Sequence, residues 1–326
     1  MNILFTDTCN QRCPYCFSKG KMRGRRIKPN YLRAKNLDTI IAFAKKSQLT
    51  RVGIIGGEPT LHPDFKRMIS RIIDAGLGFT IFSNGLMKKD IAVFLKGLDV
   101  DRHFVVINTN NPESYVQGDW GILKKTMGIL RDSNRNIGLG FNIHRLDFRM
   151  DFLVDLIVSY NLFRQIRVGI AMPLFGGNNC FLSPKVYPRI AEKLVAFIER
   201  FRRKGISFYA DCGFISCSFT DEQLGKLLRG GTVMEFNCAP TIDIGPDLTL
   251  WRCFATSKVW NKKLSDFNNL QEVGAFYLKK FQALSYCGVK GRCHECEHFR
   301  FGRCAGGCLG HTQKSFKLED KITRLR

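Results

Sequence analysis

The sequence runs to 326 residues with 44% hydrophobic and 12% aromatic side chains, enough to pack one large domain or a main domain with an appendix, which excludes a disordered chain. No run of about 18 apolar residues occurs, which excludes a helical membrane span, and the opening residues Met1-Asn2-Ile3-Leu4-Phe5-Thr6-Asp7 lack the basic and apolar segments of a secretion signal. With 51 Lys and Arg against 28 Asp and Glu the formal net charge is +23, so the surface is expected to attract acidic partners and a cytoplasmic location is expected.

In chain order, short apolar runs at Ile3–Thr6, Arg51–Ile55, Gly78–Ser83, His103–Asn108, Ile137–Ile143 and Gln165–Ala171 predict strands. Segments with apolar residues at helical spacing, among them Phe65–Ala75, Trp120–Asp132 and Asp151–Tyr160, separate them. Six strand–helix alternations predict an α/β fold with a parallel sheet, open or curled into a partial barrel, whose ligands gather at the carboxyl ends of the strands. A helix is expected over Ile190–Lys204 and a strand over Ile206–Tyr209. Beyond residue 211 cysteines, glycines and turns dominate, and a domain change is expected there, giving units 1–210 and 211–326. The first candidate strand begins at once, so no N-terminal peptide-recognition domain is expected.

The 13 cysteines are unevenly spread: three lie in residues 9–16, none in 17–179 and ten in 180–308. Cytosolic thiols are kept reduced, so metal or redox chemistry is a better reading than disulfides. Cys9-Asn10-Gln11-Arg12-Cys13-Pro14-Tyr15-Cys16 is a C-x3-C-x2-C loop directly after the first strand. Three thiolates can hold three irons of a cubane and leave the fourth open, whereas a zinc site would need a fourth protein ligand.

This spacing, with the aromatic Tyr15 before the last cysteine, resembles the signature of the radical S-adenosylmethionine (SAM) superfamily. The resemblance implies a partial (β/α)6 barrel, a [4Fe–4S] cluster on Cys9, Cys13 and Cys16, and SAM on the open iron, cleaved by one electron to a 5′-deoxyadenosyl radical. It also assigns SAM contacts. Gly56-Gly57-Glu58-Pro59 after the second strand resembles the family's glycine-rich segment, which meets the SAM amino group. Ser83-Asn84-Gly85 after the third strand resembles its small-polar-Asn-Gly turn. Asn108 and Asn142, on strands four and five, stand where the family places polar residues against the SAM ribose and carboxylate; a buried hydrogen-bonded asparagine is the alternative at both.

Cys293-x2-Cys296-x7-Cys304-x3-Cys308, with Cys238 and Cys253 flanking a hairpin turn at Gly245-Pro246-Asp247, resembles the SPASM or twitch domains that hold one or two auxiliary iron–sulfur clusters. The sequence departs from that pattern in three ways. Leu248 stands where the family has glycine, the Cys296–Cys304 stretch is two residues longer than usual, and no cysteine follows Cys308. Cys212, Cys217 and Cys287 are candidate replacements. A zinc ribbon takes similar spacing and stays open as an alternative. Cys180, apart from every group, reads as a small buried hydrophobe.

Lys19, Lys21, Arg23, Arg25, Arg26, Lys28 and Arg33 follow the cysteine loop. They form either a solvated face or a docking surface for an acidic peptide, or for reduced flavodoxin or ferredoxin as electron donor. No aromatic-rich signature accompanies them, so nucleic acid is not an expected partner. The function expected is hydrogen abstraction from a peptide or protein side chain. The alternatives are a small-molecule radical SAM dehydrogenase or epimerase, an iron–sulfur electron carrier, and a zinc-stabilised nucleic-acid-binding protein.

Overall fold

The computed structural model describes residues 1–22, 28–175, 177–238 and 241–315. One sheet of 11 strands organises the chain. Strands β1 (Asn2–Leu4), β2 (Arg51–Ile55), β3 (Gly78–Ser83), β4 (His103–Thr109), β5 (Ile137–Ile143), β6 (Gln165–Ile170), β7 (Ser207–Ala210) and β8 (Val233–Met234) follow in sequence order, each parallel to the next. Helices fill the crossovers, as parallel pairing demands: α1 (Ala34–Lys46), α2 (Phe65–Asp74), α3 (Lys89–Lys96), α4 (Asp119–Ile129), α5 (Asp151–Tyr160), α6 (Tyr187–Arg202) and α7 (Asp221–Arg229).

The helices dock because their apolar residues recur at helical spacing: α2 buries Phe65, Met68, Ile69 and Ile72, and α6 buries Tyr187, Ile190, Ala191, Leu194, Ile198 and Phe201. Strand alternation does the complementary work. On β3, Phe79 and Ile81 are fully buried in the main core, while Thr80 and Phe82 line a cavity on the other face. That cavity collects inward residues from β1, from β2 through β7 and from the far end of the sheet, so the sheet curls round it as the expected partial barrel does.

Four strand or helix predictions match to the residue, Arg51–Ile55, Gly78–Ser83, Ile137–Ile143 and Asp151–Tyr160, and β4 and β6 start where predicted, at His103 and Gln165. The alternation runs one step further than expected. Past residue 211 the capping box of Thr220 and Gln223 starts α7, which leads into β8 parallel to β7. The C-terminal hairpin, β9 (Ile242–Ile244) and β10 (Thr249–Arg252), also belongs to the sheet, because β9 pairs in parallel with β1 through Asn2 and Ile3. The short strand β11 (Lys262–Lys263) closes that edge, and α8 (Leu270–Ser285) covers it with Val273, Tyr277, Phe281 and Leu284. Among the described residues no helix is long and apolar enough to cross a membrane.

Candidate active site

The cysteine loop leaves β1 and is held from three sides. A turn closes its end, Cys16 N donating to the Cys13 carbonyl at 3.1 Å. Gly57 N donates to the Thr6 carbonyl at 2.9 Å and Glu58 N to the Thr8 carbonyl at 2.8 Å, laying the Gly56-Gly57-Glu58-Pro59 turn along the loop. Only glycine fits here: a Cβ on Gly57 would stand 2.1 Å from the Thr8 carbonyl oxygen. The third hold is Asn84, whose Nδ2 donates to Asn10 Oδ1 at 2.8 Å and approaches Cys9 Sγ at 3.8 Å.

Cys9, Cys13 and Cys16 are half-buried neighbours. Burial pushes the Cys9 thiol up to about 12, and it raises Cys13 as well, so these thiols become thiolates only with a cation to compensate. Polar hydrogens already point at the sulfurs: Gln11 N lies 3.4 Å from Cys9 Sγ and Asn110 Nδ2 3.7 Å from Cys13 Sγ. The chemistry of this donor set, three adjacent sulfurs with amide donors beside them, fits a cubane with one open iron.

Glu58 is fully buried and serves the two strand ends. Its Oε1 accepts from Thr60 Oγ1 at 2.6 Å, Thr60 N at 3.2 Å and Ser83 Oγ at 2.8 Å, and its Oε2 accepts from Asn84 N at 2.7 Å. Burial pushes its carboxyl up while these donors pull it down. Ser83 and Asn84 are therefore brought together with Glu58 and Cys9, whereas Asn108 and Asn142 lie apart, on the cavity wall. Asn108 Oδ1 is buried with no hydrogen-bond partner and lies against Gly140 of β5, where a Cβ would stand 2.4 Å from it.

Sequence reasoning missed Asn110. It lies one residue past β4, accepts a hydrogen bond from Tyr15 Oη, and reaches Cys13; its position at a parallel strand's carboxyl end was the available signal. It also missed Asp243 on β9, buried at the cavity wall and bound by Asn2 Nδ2 at 2.8 Å. Burial pushes its carboxyl up to about 7 against that bond.

The cavity has a volume of about 450 Å³. Tyr15 and Phe17 of the cysteine loop form one wall, and Cys212 and Cys253 stand in another. Phe82, Phe104 and Phe163 make it largely apolar. Among the described residues that line it, Arg167 is the one cation, ion-paired to Asp211 and stacked over Phe82 at 5.3 Å.

The C-terminal cysteines fall into two groups. Cys212, Cys238, Cys253 and Cys308 are electrostatic neighbours of one another. Cys217, Cys293, Cys296 and Cys304 line a second cavity of about 340 Å³. Cys287 joins neither, its thiol pointing at the Ala283 carbonyl, 3.3 Å away on α8. Among the described residues no three His, Cys, Asp or Glu side chains are arranged to hold a single metal ion. Cys180 is exposed rather than buried. Its neighbour Asn179 takes the inner position, bonding the Tyr15 and Met172 carbonyls at 3.2 and 2.9 Å.

Of the basic run, Arg23, Arg25 and Arg26 lie outside the described residues. Lys19, Lys28 and Arg33 are exposed. Lys21 folds back instead, its Nζ 4.5 Å from the centre of the Trp251 ring and 3.4 Å from Asn261 Oδ1.

Residues 3–140 match the family model of the radical SAM superfamily. A GTP 3′,8-cyclase of Aquifex aeolicus is 29% identical over 115 residues, 35% of this chain and 36% of that protein. An S-adenosylmethionine-dependent nucleotide dehydratase of a Thermoplasmatales archaeon is 31% identical over 98 residues, 30% of this chain and 33% of that protein. The chain thus spans about a third of the length of these curated relatives. Among solved structures, Streptococcus suis SuiB bound to the precursor peptide SuiA matches with a TM-score of 0.65 at 17% identity, over 94% of this chain and 71% of that one. Native anSMEcpe with bound AdoMet matches with a TM-score of 0.67 at 16% identity, over 100% of this chain and 97% of that one. At such identities the likeness is one of fold, and it runs through the cysteine-rich region as well as the barrel. The match over residues 3–140 takes in the Cys9–Cys16 loop and the strand ends that hold it, so this segment of the chain is similar to the radical SAM superfamily of enzymes.

Proposed function

We propose that this enzyme cleaves SAM reductively and abstracts hydrogen from a side chain of a peptide or protein held in the barrel cavity. In this reading Cys9, Cys13 and Cys16 hold a [4Fe–4S] cluster, which supplies the electron that turns SAM into the 5′-deoxyadenosyl radical. Gly56, Gly57 and Pro59 shape the backbone beside SAM, Asn108 and Asn142 face it from the wall, and Glu58, Ser83 and Asn84 position the loop. Residues 1–210 form the core that carries the cysteine loop, residues 211–326 hold one or two auxiliary iron–sulfur clusters, and reduced flavodoxin or ferredoxin is the electron donor.

The observation that carries the substrate class is the cavity's charge. A nucleoside triphosphate needs several free cations, and among the described residues the cavity offers Arg167 alone, ion-paired to Asp211. Its aromatic walls suit an uncharged side chain presented on a peptide backbone. The likeness to SuiB bound to a precursor peptide supports the same choice. The cyclase relatives match over 115 residues, 35% of this chain, which leaves most of the chain without a counterpart in that match.

The test is 5′-deoxyadenosine formation by reconstituted, reduced enzyme offered either GTP or short peptides. Peptides that are modified and raise turnover above the uncoupled rate support the reading. Conversion of GTP with no effect of any peptide overturns the substrate class and leaves SAM cleavage standing.

A further inference from the structure

We infer that the loop Asp211-Cys212-Gly213-Phe214-Ile215-Ser216-Cys217 supplies one thiolate to each of two iron–sulfur sites, Cys212 joining Cys238, Cys253 and Cys308, and Cys217 joining Cys293, Cys296 and Cys304. The inference rests on the reading that the C-terminal region holds auxiliary clusters, and it assigns their ligands. Cys217 takes the place of the cysteine missing after Cys308.

Each site shows three thiols drawn together from the hairpin and the cysteine-rich segment, short of one ligand. Cys212, just past the end of β7, lines the barrel cavity together with Cys253, and Cys212, Cys238, Cys253 and Cys308 are electrostatic neighbours of one another. Cys293, Cys296 and Cys304 surround the second cavity, and Cys217 closes its remaining side next to Ile215 and Ser216. Cys212 and Cys217 are exposed; Cys212 lines the barrel cavity together with Cys253, and Cys217 lines the second cavity together with Cys293, Cys296 and Cys304.

The backbone explains how two cysteines five positions apart serve different sites. Gly213 has φ +101°, and a Cβ there would stand 2.9 Å from the Ile170 side chain, so glycine alone lets the loop double back over β6. The Cys304–Cys308 segment does the same, since Gly306 and Gly307 have φ +69° and +92°. The two turns meet: a Cβ on Gly307 would lie 3.0 Å from Ile215 Cγ2. Ile215 therefore packs at the dividing line, and each segment sends one cysteine to either side.

The surroundings suit thiolates. Gly310 N lies 3.4 Å from Cys308 Sγ and Gly306 N lies 3.4 Å from Cys304 Sγ, the amide-to-sulfur bonds that stabilise cluster ligands. Each site also has a cation. Lys290 Nζ is 3.2 Å from Cys217 Sγ, and Arg252 faces the thiols of Cys238 and Cys253. Cys253 sits at φ +59° and ψ 146°, a conformation costly for a residue with a side chain and found where a site requires it. Four thiolates on each cubane leave no open iron.

The experiment is iron and sulfide analysis with electron paramagnetic resonance on the full chain, reconstituted anaerobically. With all clusters loaded, about 12 irons per chain are expected. Cys287→Ala should leave that number unchanged. Cys212→Ala and Cys217→Ala should each lower it to about 8 and remove different resonances, and the double variant should fall to about 4. Cys217→Ser, which keeps an oxygen ligand in place, should retain iron with shifted g values and a native circular dichroism spectrum. Loss of iron in Cys287→Ala, or removal of the same resonance by Cys212→Ala and Cys217→Ala, overturns the ligand assignment. The variant lacking Cys9, Cys13 and Cys16 separates the two levels: zinc without sulfide there sinks the auxiliary-cluster reading itself. In that triple-variant background, two cubanes that survive a further Cys217→Ala sink only the assignment.

Discussion

Ser83 Oγ donates to Glu58 Oε1 at 2.8 Å, so the ends of neighbouring parallel strands β2 and β3 are tied by a carboxylate that never reaches solvent. Through Asn84, whose N–H takes the second oxygen and whose amide reaches Asn10, the tie extends to the cysteine loop. Glu58 thus acts as the keystone of the loop's position.

Glu58→Gln replaces one acceptor oxygen by an amide that cannot accept the hydrogen bonds made there, leaving buried donors unpaired. A loss of about 2–4 kcal/mol in unfolding free energy is expected. Ser83→Ala removes one donor of the four and should cost about 1 kcal/mol. Urea titrations of the two variants check the order; equal effects would mean that the carboxylate is not the centre of the network.

Leu248 occupies φ +64° in the β9–β10 turn, the left-handed region in which the resembling family carries glycine at this position. Alanine would keep the strain and lose the leucine's packing, whereas glycine would lose the packing and relieve the strain. Leu248→Gly should therefore be more stable than Leu248→Ala by about 1 kcal/mol, the reverse of the usual order of these two residues. Thermal melts of the pair check it.

His62 is buried with Nε2 2.9 Å from the Leu32 carbonyl, while Nδ1 accepts from Asp64 N at 3.1 Å. That pairing fixes a neutral ring, and burial holds its pKa below the ordinary value. Below about pH 6.5 the unfolded chain then binds the proton more readily than the folded one. The stability due to His62 is full above that pH and falls as the pH drops through it, by at most about 1.4 kcal/mol per pH unit. His62→Gln should flatten the decline of the urea midpoint on the acid side of neutrality, and an unchanged slope would assign the decline to other groups.

Much of the barrel was legible in the sequence because parallel strands buried on both faces are written as short apolar runs. β2, β3 and β5 begin and end where those runs do. The Cys9-x3-Cys13-x2-Cys16 loop was legible for a similar reason, all its ligands being local. Contacts that join distant segments were not. Nothing local in Ile242–Ile244 announces that it pairs with β1, and the strand-end position of Asn110 marks it as a site residue without showing that its side chain ends beside Cys13, 97 positions earlier. The division of nine C-terminal cysteines into two groups of four with Cys287 left over depends on turns at Gly213 and Gly307 whose direction spacing does not encode. Cys180 was misread because exposure was inferred from residue type, while Asn179 holds the buried position through three hydrogen bonds.

The most direct measurement is the fate of SAM. Anaerobically reconstituted protein, reduced by dithionite or by flavodoxin, should convert SAM to 5′-deoxyadenosine and methionine. Cys13→Ala, with one of the three loop thiols gone, should form none while keeping its C-terminal iron. Fully loaded protein that binds no SAM in equilibrium dialysis and yields no 5′-deoxyadenosine, or a Cys13→Ala variant that yields as much as the parent, would contradict the account.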